Sequence, residues 1–590
     1  GSSFGPRRGA GTPAETLIQE LTMDLRRRTL AVRRSNVLIT LTEPQWTHCA
    51  LGADPVGGDP IGCWGQVVEP YSACLSHLAE HEVDAYVAGL RPGSDLKHTG
   101  TALTQRILDR LLDAVRNPAT GRPEIGLARF DYVTFPEGVS FERATFETAV
   151  FNGAKFNGRA RFVGVKFGNR TQFASAEFGS EADFTSVSFG RGAFFNGSHF
   201  RSHVTFTSVT ARGDVGFSGV QFEVAGHVGP VACSGKIDFS FSTFSAPIAF
   251  EIAAKEADFR RARWLSTATL RLRYADVDLT SAVFEYPLRV IKNPRPFVAV
   301  LVPGPDEGDL GSLDPTVTLV SLQGVDAAHL VLADLDLSRC RFFGTVHLDQ
   351  MRIEGETSFG YPPTKSHWAG WKPQRFYRRQ VIAEEQYWRS SQTRAVSEWL
   401  PNPPNVEINN PSALAPIYRA LRKSLEDTRN EPGAADFYYG EMEMRRADRT
   451  SRVADRVLVH IYWMLSGYGL RALRALAWLF LAVWATLASL MLWGLPDDDW
   501  EPKAVGAITS QNVTMSLEKP DVVNPSGALR DRISSERFEK SLRVVVNSVV
   551  FRSSGEDLAT TGTYIEMVSR ITEPLLLGLA VLAVRGRVKR

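Results

Sequence analysis

The chain has 590 residues, with 67 Lys and Arg against 65 Asp and Glu, and five cysteines. That length is several times a usual domain, so more than one folding unit is expected. Near-balanced charge argues against nucleic acid as a partner and against an acidic, DNA-mimicking surface, and five cysteines are too few for a disulfide-stapled secreted protein.

Residues 1–127 read as a helical cap. No apolar run follows the opening GSSFGPRRGAG, so no signal peptide is expected. Leu17–Leu30 and His77–Leu90 read as helices, and Thr101–Val115 spaces its apolar residues three and four apart, as an amphipathic helix requires. Within this block stand Cys49 in WTHC, Cys63 in GCWG, and Cys74 and His77 in CLSH. Cys74 and His77 can share one helical turn, so the four residues suit a closed Cys3His tetrahedral site for structural zinc in a reducing compartment. His48 could replace one ligand, and buried cysteines without a metal are the plain alternative. His77, Glu80 and His81 also spell His-x-x-Glu-His, the pattern of inverted zinc proteases, which offers a zinc hydrolase as the least favoured function.

A repeat follows. Bulky residues fall at Phe151, Phe156, Phe162, Phe167, Phe173, Phe178, Phe184, Phe189, Phe195, Phe200 and Phe206, in steps that alternate five and six residues. The same register continues through Ala211, Phe217, Phe222, Val228, Cys233, Phe239, Phe244 and Phe250. Two residues before each early Phe stands a small or β-branched one, from Ala149 and Ala154 to Ala182 and Val187. No α-helix has this period, and a flat strand would alternate by two. A chain that turns a corner at each unit explains it, with Phe and the small residue stacked inward on their copies in the next coil.

The register slips near Phe259 and Trp264 and returns more loosely, with Leu322, Leu332, Leu337 and Phe342 as inward positions. Between them Val302–Pro315 (VPGPDEGDLGSLDP) reads as an inserted loop, and the whole β-helix is placed at 128–359. The repeat resembles the pentapeptide-repeat family, which stacks a central Leu or Phe with a small residue two before it. The resemblance implies a right-handed quadrilateral β-helix, a solenoid whose default role is scaffold or docking surface.

Residues 374–450 read as a helical neck. Phe376–Leu400 is a mixed-charge helix, 401–416 is a Pro/Asn-rich break, and Tyr418–Arg449 reads as two helices joined at Asn430–Gly433.

Residues 451–590 read as a two-transmembrane module. Ala475–Leu495 runs 21 residues without a charge, enough to cross a bilayer. Arg471 and Arg474 precede it, and Asp497, Asp498 and Asp499 follow, which places the N-terminal mass in the cytoplasm. The stretch before it, DRVLVHIYWMLSGYGLRALR, is amphipathic and suited to the membrane interface. Tyr564–Val584 is the second span, closed by Arg585, Arg587, Lys589 and Arg590 on the same side, with an extracytoplasmic segment at about 496–562. Glu566, Arg570 and Glu573 share one helix face. Charges inside a membrane usually face a bundle interior or water, so they are expected to line a pore or an interface in an oligomer. Alternatively the apolar span starts near Ile571 and the charges lie in the outer interface.

In its order of parts the chain resembles an actinobacterial group of membrane-bound pentapeptide-repeat proteins with a C-terminal two-transmembrane, ion-channel-like module. The stretches that carry the resemblance are CLSHLAEHEVDAYVAGL, the Phe repeats, YRALRKSLEDTRNEPGAADFYYGEMEMRR, YWMLSGYGLRALR and EPLLLGLAVLAVRGRVKR. Potassium filters need Thr-x-Gly-Tyr-Gly after a pore helix. Here ATTGTYIE (Ala559–Glu566) holds a lone Gly562, and Gly467–Gly469 precedes the first span, so potassium selectivity is not expected. The leading expectation is an oligomeric inner-membrane protein, bulk in the cytoplasm, whose scaffold or sensor is coupled to the channel-like module. Its partners would be membrane lipid, further copies of itself and cytosolic proteins. The alternative is a membrane-tethered scaffold without transport. No nucleotide loop or nucleophile elbow is present, so no enzyme is expected.

Overall fold

The structure is a computed structural model that describes residues 44–54, 59–299, 302–363, 367–369, 372–374, 378–392, 398–404, 406–496, 503–509, 512–518, 524–525, 528–530, 532–550 and 558–588. The helix expected at Leu17–Leu30 and the flanking Asp497, Asp498, Asp499, Lys589 and Arg590 lie outside the described residues.

After a 3-10 turn at Leu75–His77, helix α1 spans Glu80–Ala88. It starts three residues later than His77 because the Glu82 carboxylate reaches back to the Ala79 N–H (2.9 Å) and fixes the first turn there. Helix α2, Gln105–Ala114, is capped by Thr104 Oγ1, which accepts from the Ile107 N–H. Its Leu108, Leu111 and Leu112 are buried against the first coil, so α2 closes that end of the core.

From Glu124 to Glu354 the chain is a β-solenoid of about 11 turns. Its core is four inward columns, largely aromatic in the early coils and mostly aliphatic beyond Phe284. One column runs Phe135, Phe156, Phe178, Phe200, Phe222, Phe244, Trp264 and Phe284, each paired in parallel register with the next. The others begin at Phe130, Phe141 and Phe146 and climb through Phe151, Phe162 and Phe167. Successive rings in the best-ordered part lie nearly parallel, as at Phe173 over Phe195 (4.8 Å between centroids, 0°). All the positions read from the register, including Ala211, Val228 and Cys233, are buried.

In the 22-residue coils, the corner two residues beyond the Phe of two columns takes a left-handed backbone, as at Gly153 (φ 63°) and Gly164 (φ 67°). That turn fits a five-residue side, and the next side takes six. Two of each make the 22-residue coil seen from Phe156 to Phe244. From Phe244 to Trp264 and Phe284 the step becomes 20 residues, the chain shortening at two register shifts, Val228/Val231 and Cys233/Lys236. The slip near Phe259 is this change of coil length. Val302–Pro315 lengthens one coil, between Asp276 and Thr318, without breaking the stack. It folds along the outside, burying Leu310 with Phe297, Ala232 and Ala253, while Glu307 pairs with Arg273 (3.0 Å).

Beyond the solenoid stand α3 (Ala383–Ser390), α4 (Pro411–Asp427) and α5 (Glu431–Ala447). Within the stretch read as one helix from Phe376 to Leu400, the described residues are helical only over α3. The α4–α5 link is Thr428–Asn430, and Gly433 belongs to the first turn of α5, its N–H bonded to Asn430 Oδ1 (3.0 Å). Phe359 packs on Phe437 (4.7 Å), and Ser424 donates to the Met351 carbonyl, so this hairpin closes the second end of the solenoid. The aromatic core therefore has a helical cover at each end.

Four more helices follow, with an antiparallel strand pair, Lys503–Thr509 and Asn512–Glu518, between the second and the third. α6 is Val453–Ser466, α7 is Ala472–Ser489 with a π turn at Leu490–Gly494, α8 is Ser535–Val550, and α9 is Thr560–Val588. The Gly467–Gly469 triplet forms a left-handed turn between α6 and α7.

Candidate functional site

Cys49 and Cys63 stand on the arms of a short antiparallel pairing, with Cys49 N–H bonded to Gly65 O (2.8 Å) and Ala50 N–H to Cys63 O (3.0 Å). Cys74 and His77 bracket the 3-10 turn that follows. The four ligand atoms all lie within 4.8 Å of one another. Cys63 Sγ and Cys74 Sγ are 3.7 Å apart, and His77 Nδ1 lies 3.4 Å from Cys74 Sγ and 3.5 Å from Cys49 Sγ. A tetrahedral zinc with ordinary bond lengths sets sulfurs about 3.8 Å apart and sulfur and nitrogen about 3.6 Å apart. The sulfurs are far beyond the ~2.05 Å of a disulfide.

Backbone amides complete the surroundings: Gly65 N–H donates to Cys63 Sγ (3.3 Å), and the amides of Leu51 and Ser76 do the same for Cys49 and Cys74. Each donor lies two residues after its cysteine, which orients the sulfur and strengthens it as a ligand. Burial, then the charges of Cys63 and Cys49, push the Cys74 thiol up to about 12. Burial also pushes Cys49 up, but the Cys74 and Leu51 amides and the neighbouring thiols outweigh it and hold Cys49 below its ordinary value. A cation bound among these groups would take their protons' place and favour the thiolate forms. Gly65 is a requirement the sequence reading missed, since a Cβ there would lie 2.6 Å from the Cys74 Cβ and Sγ.

The structure divides the His-x-x-Glu-His pattern. His77 faces the cysteines, whereas Glu80 opens α1 and pairs with Arg110 (3.0 Å) and Arg106 (3.2 Å). Neither His81 nor His48 belongs to the cluster.

In the neck, Arg379 is buried with Glu385 (2.5 and 2.7 Å), and the Tyr418 hydroxyl donates to the same carboxylate. Burial opposes ionisation of Glu385, but Arg379 and Arg389 outweigh it and hold the carboxyl down to about 2. Its neighbour Glu384 makes no ion pair among the described residues, with only Arg341 near enough to favour its charge. Burial pushes it up to about 7, although the Phe342 and Phe343 N–H groups of the last coils donate to it. The neck reaches the C-terminal helices through Trp463, whose ring lies beneath both Arg446 (4.3 Å) and Arg474 (4.6 Å).

Ala472–Gly494 and Thr560–Arg585 are two helices of 23 and 26 residues, long and apolar enough to cross a membrane, and most of each is left uncovered by the rest of the chain. Along α9, Gly562, Glu566, Ser569, Glu573, Leu576, Ala580 and Ala583 form one buried stripe at alternating steps of three and four. Small residues in such a stripe let helices approach closely. Glu566 is 7% exposed and pairs with Arg570 (2.7 Å), which lies at the edge of the stripe. Glu573 is fully buried, with Thr486 of α7 as its polar neighbour, and its oxygens find no hydrogen-bond partner among the described residues. It stands 13 residues into α9, about 20 Å along the helix axis. Glu566 and Glu573 are thus both buried within one copy of the chain, Glu573 beside α7.

α8 begins where α7 ends. Arg537 donates to the carbonyls of Met491, Leu495 and Pro496, and Arg532 to that of Leu492. Its charged first half stays at that level. Its second half carries Val544 and Val545 in against Leu487 and Leu490, beside Val483, Leu558 and Ile565. The helix therefore packs back along both α7 and α9.

No curated protein and no solved structure matches the chain. Residues 125–166, the first coils of the solenoid, match the family described as pentapeptide repeats (9 copies).

Proposed function

We propose that this chain is a membrane-anchored protein whose two-span module assembles into a channel-like oligomer, with the solenoid as its cytoplasmic scaffold or sensor. The observation that carries this reading is α8, whose apolar half lies against both α7 and α9 as a re-entrant element does. One copy offers two spans and one such helix, too little to enclose a path, so several copies are required. Arg471 and Arg474 at the start of α7, and Arg585 near the end of α9, favour the cytoplasmic side for both ends and for the solenoid. Cytosolic proteins would dock on the rod, and the chain's work is binding and coupling rather than catalysis. A zinc ion at Cys49, Cys63, Cys74 and His77, closed off by four protein ligands, would hold the cap together.

The test uses the full-length chain in lipid nanodiscs and proteoliposomes. Native mass should give an oligomer, and ion flux should be altered by Glu573→Gln. A monomer without flux would sink this reading in favour of a membrane-tethered scaffold. The complete burial of Glu573 between α7 and α9 of a single copy is the observation on that second side.

A further inference from the structure

A cavity of about 760 Å³ opens where the neck meets α6. Its wall carries Arg446, Arg449, Arg456 and His460, with Asp448 as the one acidic residue. Asp448 is already engaged, accepting from the Thr450 N–H (2.9 Å) and hydroxyl (2.7 Å). Arg446 pairs with Glu443 (2.8 Å), but Arg456 Nε is buried without a hydrogen-bond partner among the described residues. The same wall presents Val453, Val457 and Ile461, spaced four apart on α6 and 67%, 51% and 44% exposed. Cations thus adjoin an apolar stripe, on the helix that leads into the first span.

We infer that this cavity binds an anionic phospholipid, its phosphate among Arg449, Arg456 and His460 and its acyl chain along Val453, Val457 and Ile461. A soluble anion would use the cations and leave the apolar stripe in water, whereas a lipid covers both. Basic residues on the cytoplasmic side of a span also face the negatively charged leaflet, which concentrates such a ligand there. The inference rests on the proposal that α7 and α9 cross the membrane.

Full-length protein purified from vesicles of mixed phosphatidylglycerol and phosphatidylcholine should retain phosphatidylglycerol on native mass spectrometry. Arg449→Gln combined with Arg456→Gln should reduce that retention at least tenfold, and the exposed Arg449→Gln alone should reduce it severalfold while leaving the fold intact. Equal retention of both lipids, or retention unchanged in both variants, overturns the site. Displacement of the lipid by millimolar inorganic phosphate alone would also overturn it, in favour of a free-phosphate site. Carbonate washing of the vesicles separates the two levels of failure. Protein that washes off refutes the spans, and protein that stays but shows no lipid preference refutes only this cavity.

Discussion

Gly562 of α9 meets Gly494 at the end of α7: a Cβ added to Gly562 would lie 2.3 Å from the Gly494 carbonyl oxygen. The Ala559 N–H also bonds that carbonyl (3.0 Å), so the two backbones touch where α7 and α9 meet α8. Backbone cannot yield as a side chain can. Gly562→Leu should therefore cost about 1–3 kcal/mol by overpacking, read as a lower unfolding temperature in detergent. A variant as stable as the parent would show that the spans do not meet here.

The cysteine–histidine cluster yields a prediction about metal. The purified chain should carry one zinc, lost in Cys63→Ser and in Cys74→Ser. Gly65→Ala keeps every ligand but places a methyl group against Cys74, so it should weaken retention against a chelator. Chelation should open residues 44–100 to proteolysis while the stack from Phe130 onward survives. A metal-free protein with an equally protected cap would make these ordinary buried cysteines.

Within the solenoid, Phe178 lies between Phe156 (4.8 Å) and Phe200 (4.7 Å). Phe178→Ala should cost about 3–5 kcal/mol through lost burial and the cavity left behind. Because each coil touches only its neighbours, hydrogen exchange should rise most in the coils holding Phe156 and Phe200. A uniform rise along the whole rod would mean that the solenoid unfolds as one unit.

The solenoid was legible because a phenylalanine that must face inward recurs at a fixed step. Phe151 to Phe206 needed no more than counting. The change to 20-residue coils left only a slip near Phe259, since periodicity records a break without saying which way the corner turns. The Cys3His set was legible by residue type, but the Gly65 requirement depends on a close approach to Cys74, which comes 9 residues later. The hairpin's role as a cover rests on Phe359 meeting Phe437, a long-range contact with no period behind it. α8 was hidden in another way. Glu536, Arg537, Glu539, Lys540 and Arg543 make its first half read as surface, while the half that dips between the spans is too short to register as a membrane segment.

The adjacent pair Glu384 and Glu385 gives a pH prediction. Glu385, beside Arg379 and Arg389, is held down to about 2, so its contribution is present above about 4.5 and fades only as pH falls towards 2. Glu384 is pushed up to about 7 by burial, so the folded chain holds its proton more tightly than the unfolded chain, whose value is 4.5. Its contribution is therefore fullest below about pH 4.5 and is lost as pH rises through 7. Glu384→Gln keeps an oxygen for the Phe342 and Phe343 N–H groups and removes the titration. The stability of the variant relative to the parent should then rise between pH 5 and pH 8, by a difference on the order of 3 kcal/mol. Denaturant unfolding of both proteins across that range, followed by the tryptophan signal, reads it directly. A constant offset between the two curves would mean that Glu384 stays ionised where it caps the last coils.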